Sequence, residues 1–150
     1  MSEASSITPR AISVIIPTYR EAGSLPSLLD RLASLRDDGW ELEVLIVDDD
    51  SRDGTEELVA GRGNDWERLI VRRDERGLSS AVLCGMDSAT KDVLIVMDAD
   101  GSHPAESIPA MVDAVEQGAD FSLGSRYVPG GSTEDGWGVL RWINSKIATI

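Results

Sequence analysis

The chain reads as an α/β protein built on a mainly parallel sheet with helices on both faces. Three observations predict this. Short β-branched apolar runs alternate with stretches of helical periodicity, the runs are continuously apolar rather than alternating, and polar, acid-rich motifs follow three of them directly. Continuously apolar strands need cover on both faces, which is the environment of a parallel sheet flanked by helices. In such sheets ligands bind in the crevice beyond the carboxyl ends of the strands.

The elements follow in order. Ala11–Ile16 is a buried strand ended by Pro17. Leucines at 25, 28, 29, 32 and 35 have helical spacing, with Ser24 as the N-cap and Gly39 just beyond the end. Leu42–Val47 is a second strand, followed by a polar loop and a short helix from about Thr55. Leu69–Val71 is a third strand, Leu78–Ala89 a helix, and Val93–Met97 a fourth strand. Ile108–Glu116 is a helix and Asp120–Leu123 a last short strand. From Val128 the chain turns glycine-rich and then becomes amphipathic over Trp137–Ile150 without a C-cap. We therefore expect a disordered lead-in over residues 1–10, a core over 11–127, and an incomplete further region over 128–150.

Composition bounds the function. A chain of 150 residues with 41% hydrophobic content can bury a substantial core. The net charge of -13 argues against nucleic acid as a partner and against electrostatic docking on anionic lipid, because both need clustered Lys and Arg. The single cysteine, Cys84, cannot form an internal disulfide and suits a reducing compartment. No apolar run reaches the roughly 20 residues that span a bilayer, and MSEASSITPR lacks the apolar core of a signal peptide. The expected location is the cytoplasm, including the cytoplasmic face of a membrane. The carboxylate surplus suits either a high-salt cytoplasm or ordinary acidic solubility.

Two motifs carry the chemistry. Asp98-Ala99-Asp100 follows a strand directly, so two carboxylates can project toward one hard cation, with Mg²⁺ or Mn²⁺ keeping positions open for phosphate oxygens. Surface loops also produce such pairs by chance, and a turn or capping aspartate is the plainer reading. Ser102, His103 and a helix start at Pro104 favour the metal reading, since a helix N-terminus attracts anions. The second motif, Asp48-Asp49-Asp50-Ser51-Arg52-Asp53-Gly54, crowds four acids, which is destabilising unless a cation, amide donors or a ligand compensates. Asp49 is the candidate acceptor for nucleobase N–H groups; Ser51 or Asp53 is the candidate helix cap.

Three weaker motifs surround these. Tyr19 and Glu21 in Pro17–Glu21 can shape a ribose or base pocket. Arg76–Ala81 opens a helix whose small residues allow close packing. Arg126, in Gly124-Ser125-Arg126-Tyr127, can clamp a diphosphate with its planar fork, or pair with a surface acid.

Taken together, PTYRE, VDDDSRDGT, RGLSSAVLCG, VMDADGSHP and GSRYVPGG resemble, in order, the motifs of family 2 glycosyltransferases. They look most like the polyprenyl-phosphate (dolichol-phosphate) mannosyl- and glucosyltransferases, over about residues 11–146. The resemblance implies the Rossmann-like GT-A fold, a nucleotide-sugar donor (GDP-mannose in the mannosyl enzymes), Mg²⁺ or Mn²⁺, and a polyprenyl or dolichyl phosphate acceptor. By position it implies Pro17, Tyr19, Glu21, Val47 and Asp49 at the nucleoside, with Asp98 and Ala99 beside the donor. It implies Asp98, Asp100 and Ser102 at the metal, and Asp100 and Arg126 at the catalytic centre. Trp137, Arg141 and Ser145 resemble a signature near the acceptor.

Arg20, Arg52 and Gly101 depart from the family, which has Asn, Pro and an aliphatic residue there. The implied reaction is hexose transfer with inversion. A UDP-sugar transferase of the same family and a non-catalytic nucleotide-binding fragment stand as alternatives. A phospho-receiver domain is a remote one, because a strand and helix precede the acidic cluster. The apolar face of Trp137–Ile150 is expected to meet a membrane surface or a second copy of the chain.

Overall fold

The computed structural model describes residues 10–125. The chain divides into two compact units, Met1–Ile108 and Pro109–Ile150. The first holds a four-stranded parallel sheet. Its elements are β1 (Ala11–Thr18), α1 (Leu25–Asp37), β2 (Glu41–Asp48), α2 (Thr55–Arg62), β3 (Glu67–Val71), α3 (Leu78–Ser88) and β4 (Val93–Val96). A single 3-10 turn over Ala105–Ser107 leads into α4 (Ile108–Glu116). Among the described residues no helix is long and apolar enough to cross a membrane.

The strand order is β3-β2-β1-β4. The chain therefore steps outward from β1 to β3 and then returns to the other side of β1. The switch point lies between β1 and β4, where a crevice opens in sheets of this kind. Pro17 falls inside β1 rather than ending it, because the strand continues to Thr18 against Asp48. A central-strand proline normally loses a ladder bond. Here the β1–β4 ladder ends at Ile15–Val96, with the Met97 amide donating to the Ile15 carbonyl at 3.1 Å. By the two-residue alternation Pro17 faces the same side one step further on, where the strands have parted.

The two sheet faces divide the core. Ile15, Leu45 and Val47 share a face with Ala81 of α3. The opposite face carries Val14, Ile16, Val44 and Ile46, all fully buried. The leucines of α1 (25, 28, 29, 32 and 35) are all buried, as their spacing predicts. Ser24 stands at the N-cap, but its hydroxyl donates to Glu21 rather than capping an amide. Gly39 follows the helix at φ 90°. Cover is incomplete at β4, whose Leu94 and Val96 lie on the α3 face yet are 39% and 41% exposed. Among the described residues the helix packs mainly over β1 and β2.

Gly85 is what allows α3 so close. A Cβ there would fall 2.4 Å from Cγ2 of Ile15 and 3.2 Å from Cγ2 of Val47, both fully buried and β-branched. Neither side chain can swing away. Gly85→Ala is expected to destabilise the fold by about 1–3 kcal/mol through overpacking, despite the better helix propensity of Ala. Urea unfolding checks this; an unchanged midpoint would show that the helix shifts freely.

At the amino end of the sheet, Glu43 is a buried carboxylate held by many donors. It accepts from the Ser13 hydroxyl at 2.6 Å, the Thr90 amide at 2.9 Å and hydroxyl at 3.1 Å, and Arg68 Nη1 at 2.8 Å. Burial works to raise its pKa, but Ser13, Thr90 and Arg68 together outweigh it and hold the carboxyl below its ordinary range. On the surface, the Arg31 guanidinium holds Glu106 down at about 2. Carboxyls depressed in the folded state contribute stability above their unfolded pKa and lose it as pH falls through the folded value. The fold is thus expected to weaken from about pH 4.5 down toward 2. Urea midpoints between pH 7 and 3 measure this, and Glu43→Gln should flatten the fall.

In the second unit, Asp120–Leu123 is not a strand. These residues join no ladder, and Phe121 and Leu123 are 79% and 80% exposed. Apolar alternation over four residues makes a strand only beside a hydrogen-bonding neighbour, and none pairs with it among the described residues.

Candidate active site

The polar motifs at the carboxyl ends of β1, β2 and β4 converge as the topology requires. The crowded acid loop after β2 is compensated without any ligand, each acid in its own way. Asp48 is 1% exposed. It accepts from Thr18 Oγ1 at 3.0 Å, from the Ser51 amide at 2.8 Å and from the Ser51 hydroxyl, closing the loop on itself. Ser51 Oγ in turn accepts the Arg20 amide at 2.8 Å, which ties the loops after β1 and β2 together.

Asp49 faces the other way. Its Oδ1 takes Nε of Arg72 at 2.7 Å and Nη2 at 2.6 Å, and its Oδ2 accepts the Gly77 amide at 2.7 Å. Asp50 is held below its ordinary pKa by hydrogen bonding to Arg52, with Arg73 and Arg76 adding to the effect. Asp53 accepts from the Ala22 amide at 3.0 Å and from Thr55. The residue at the N-cap of α2 is Gly54 at φ 98°, not Ser51 or Asp53, although Asp53 does accept the Thr55 amide.

The described non-glycine residues with positive φ all lie in these two loops: Arg20 at 62°, Asp50 at 53° and Arg52 at 52°. Left-handed backbone is costly for arginine and easier for asparagine, so Arg20 carries strain that the family's usual Asn avoids. Proline cannot adopt a φ of 52°, so the conformation at Arg52 is closed to the residue that the resembled family has there. Strain of this kind gathers at functional sites.

Tyr19 stands 45% exposed at the mouth, with Arg20 and Arg76 at 5.2 and 5.3 Å from its ring centroid. Glu21 closes the first loop by accepting from Ser24. Val47 is fully buried in the α3 cluster.

Across the switch point, Asp98 is half exposed and Asp100 exposed, while Ala99 between them is buried as a plug. The Asp98 amide donates to Nδ1 of His103 at 3.0 Å, and Nε2 of His103 lies 3.7 Å from the Asp98 carboxylate. The Ser102 amide donates to Asp100 Oδ1 at 2.9 Å, which closes a tight turn after the strand. Among the described residues no group of three or more His, Cys, Asp or Glu side chains forms a complete metal cage. Two exposed carboxylates fit the partial oxygen set on which Mg²⁺ or Mn²⁺ is completed by water and phosphate. Arg126, Arg141, Trp137 and Ser145 lie outside the described residues, as do residues 1–9 and the amphipathic stretch from Trp137.

Sequence reasoning missed Arg72. Its signal was a cation directly after the third strand, one strand over from the acid cluster.

The parallel sheet, with acidic loops following β2 and β4, has the architecture of a GT-A domain. The chain belongs to glycosyl transferase family 2, whose model matches residues 13–149. It is 43% identical over 140 residues to a dolichol-phosphate mannosyltransferase of Pyrococcus furiosus, covering 93% of this chain and 39% of the relative. It is 40% identical over 141 residues to a polyprenol monophosphomannose synthase of Mycolicibacterium smegmatis, covering 90% and 52%. A solved mannosyltransferase of Pyrobaculum calidifontis, in complex with GDP-Man and Mn²⁺, is similar at TM-score 0.58 and 32% identity, covering 77% of this chain and 34% of that one. The chain thus spans about half the length, or less, of the relatives it matches. Family membership removes the receiver-domain alternative.

Proposed function

We propose that this chain is the donor-binding part of a transferase that moves mannose from GDP-mannose to a polyprenyl or dolichyl phosphate, with inversion. The observation that carries the reading is the pair Asp98, half exposed, and Asp100, exposed, just after β4, the strand beside β1 at the switch point. The relatives' names supply the mannosyl and polyprenyl chemistry.

In this reading Asp98 and Asp100, with Ser102 beside them, hold a divalent cation. When bound, the cation offsets charge developing on the leaving diphosphate. Tyr19, Glu21 and Asp49 orient the nucleoside, and Pro17 and Val47 shape the floor beneath it. The family resemblance assigns Arg126 to the diphosphate and Arg141 to the acceptor. The acceptor phosphate is already mostly dianionic at neutral pH, its second pKa being roughly 6, so it attacks the anomeric carbon without a protein base. His103 suits this, because its Nδ1 already accepts the Asp98 amide and serves to hold the loop.

Contact with the membrane carrying the lipid acceptor, at the cytoplasmic face, belongs to the same proposal. Titration calorimetry with GDP-mannose and UDP-glucose in Mn²⁺ tests the donor. We expect GDP-mannose to bind at least about tenfold tighter, roughly 1.4 kcal/mol. A preference for UDP-glucose would overturn the mannosyl reading in favour of a UDP-sugar transferase.

A further inference from the structure

The Arg72 side chain is only 8% exposed and bonds to several elements at once. Besides its hydrogen bond and ion pair to Asp49 Oδ1, its Nη1 donates to Ser80 Oγ at 2.9 Å and its Nη2 to the Gly77 carbonyl at 3.1 Å. Its backbone amide donates to the Asp48 carbonyl at 2.7 Å. One guanidinium therefore links the end of β2, the exit of β3, the turn before α3 and the first turn of that helix.

The consequence for Asp49 follows from counting acceptor sites. A carboxylate offers about four. Arg72 Nε fills one on Oδ1, with Nη2 held against the same oxygen as an ion pair at 2.6 Å, and the Gly77 amide fills one on Oδ2. One site on Oδ2 remains, and the planar fork of Arg72 fixes the direction in which it points. Lysine, a point charge with rotating donors, cannot impose that plane.

We infer that Arg72 is a positioning residue for the nucleoside end of the crevice: it orients Asp49 so that the acceptor site left on Oδ2 meets one N–H or O–H donor of a nucleoside diphosphate. The inference rests on the donor-site reading above. Arg72 itself touches no ligand in this account.

The test compares two probes by calorimetry in Mn²⁺: GDP, which reaches both ends of the crevice, and inorganic pyrophosphate, which reaches only the Asp98–Asp100 end. Arg72→Lys is expected to weaken GDP binding about tenfold or more while pyrophosphate binding holds within about twofold. In an Asp49→Asn background, Arg72→Lys should add almost nothing, because a residue acting through another loses its effect when that other is gone. Ser80→Ala, which removes one anchor from a half-buried position, should shift GDP binding in the same direction by a smaller factor. It carries the comparison where Arg72→Lys does not fold.

Equal loss of both probes would make Arg72 merely structural and overturn the inference, as would no change in GDP binding, or an undiminished effect in the Asp49→Asn background. Failure of the unsubstituted chain to bind GDP while pyrophosphate binds would instead locate the error in the nucleoside reading, and the inference would fall with it.

Discussion

Asp100→Asn is expected to weaken Mn²⁺-dependent binding of a nucleoside diphosphate by about a hundredfold or more, while the melting temperature stays level or rises slightly. The size of the loss reflects removal of one of only two carboxylates that this strand end presents. A bound cation contributes several kcal/mol of charge stabilisation, and an amide oxygen replaces a carboxylate poorly as a ligand for a hard cation. The fold should not suffer, because Asp100 is exposed and Asn keeps an acceptor for the Ser102 amide. Removing one negative charge from a chain of net charge -13 also relieves repulsion. Calorimetry for binding and circular dichroism for stability separate the two effects. If the variant unfolds, Asp100 is a structural turn residue, and the capping reading of the motif prevails.

Arg72→Met should cost the fold about 3–5 kcal/mol, the usual loss when one partner of a buried ion pair is removed. The stranded group is Asp49, whose side chain is 9% exposed and would keep only the Gly77 amide among its present charge-balancing partners. Asp49→Leu combined with Arg72→Met should recover most of that loss, since well-packed apolar replacements of a buried pair are often neutral. Urea unfolding of the single and double variants measures both. A double variant as unstable as the single one would mean that Arg72 stabilises mainly through Ser80 and Gly77 rather than through the pair.

Much of this architecture was legible in the residues. The apolar runs placed β1, β2 and β4, the leucine spacing placed α1, and the acidic motifs located the ends of the strands that bear the site. What escaped depended on partners distant in the chain. Pro17 looked like a strand terminator because the sequence does not show that β4 has already parted from β1 at that point. Asp120–Leu123 had the alternation of a strand but joins no ladder. The acid loop looked like a cluster awaiting a cation. Its compensation comes from Thr18 thirty residues before and from Arg72, Arg73 and Arg76 more than twenty residues after. Arg72 and Gly85 act through close approach across the sheet, and spacing along a chain carries no trace of that.

The central claim is that a nucleoside diphosphate is held here through a divalent cation on Asp98 and Asp100. Thermal unfolding of the unsubstituted chain with GDP, in Mn²⁺ and in EDTA, tests it most directly. With Mn²⁺ and ligand at a hundred times its dissociation constant, the fold should gain about 2.7 kcal/mol, and with EDTA the gain should vanish. Equal stabilisation in the two conditions would contradict the account.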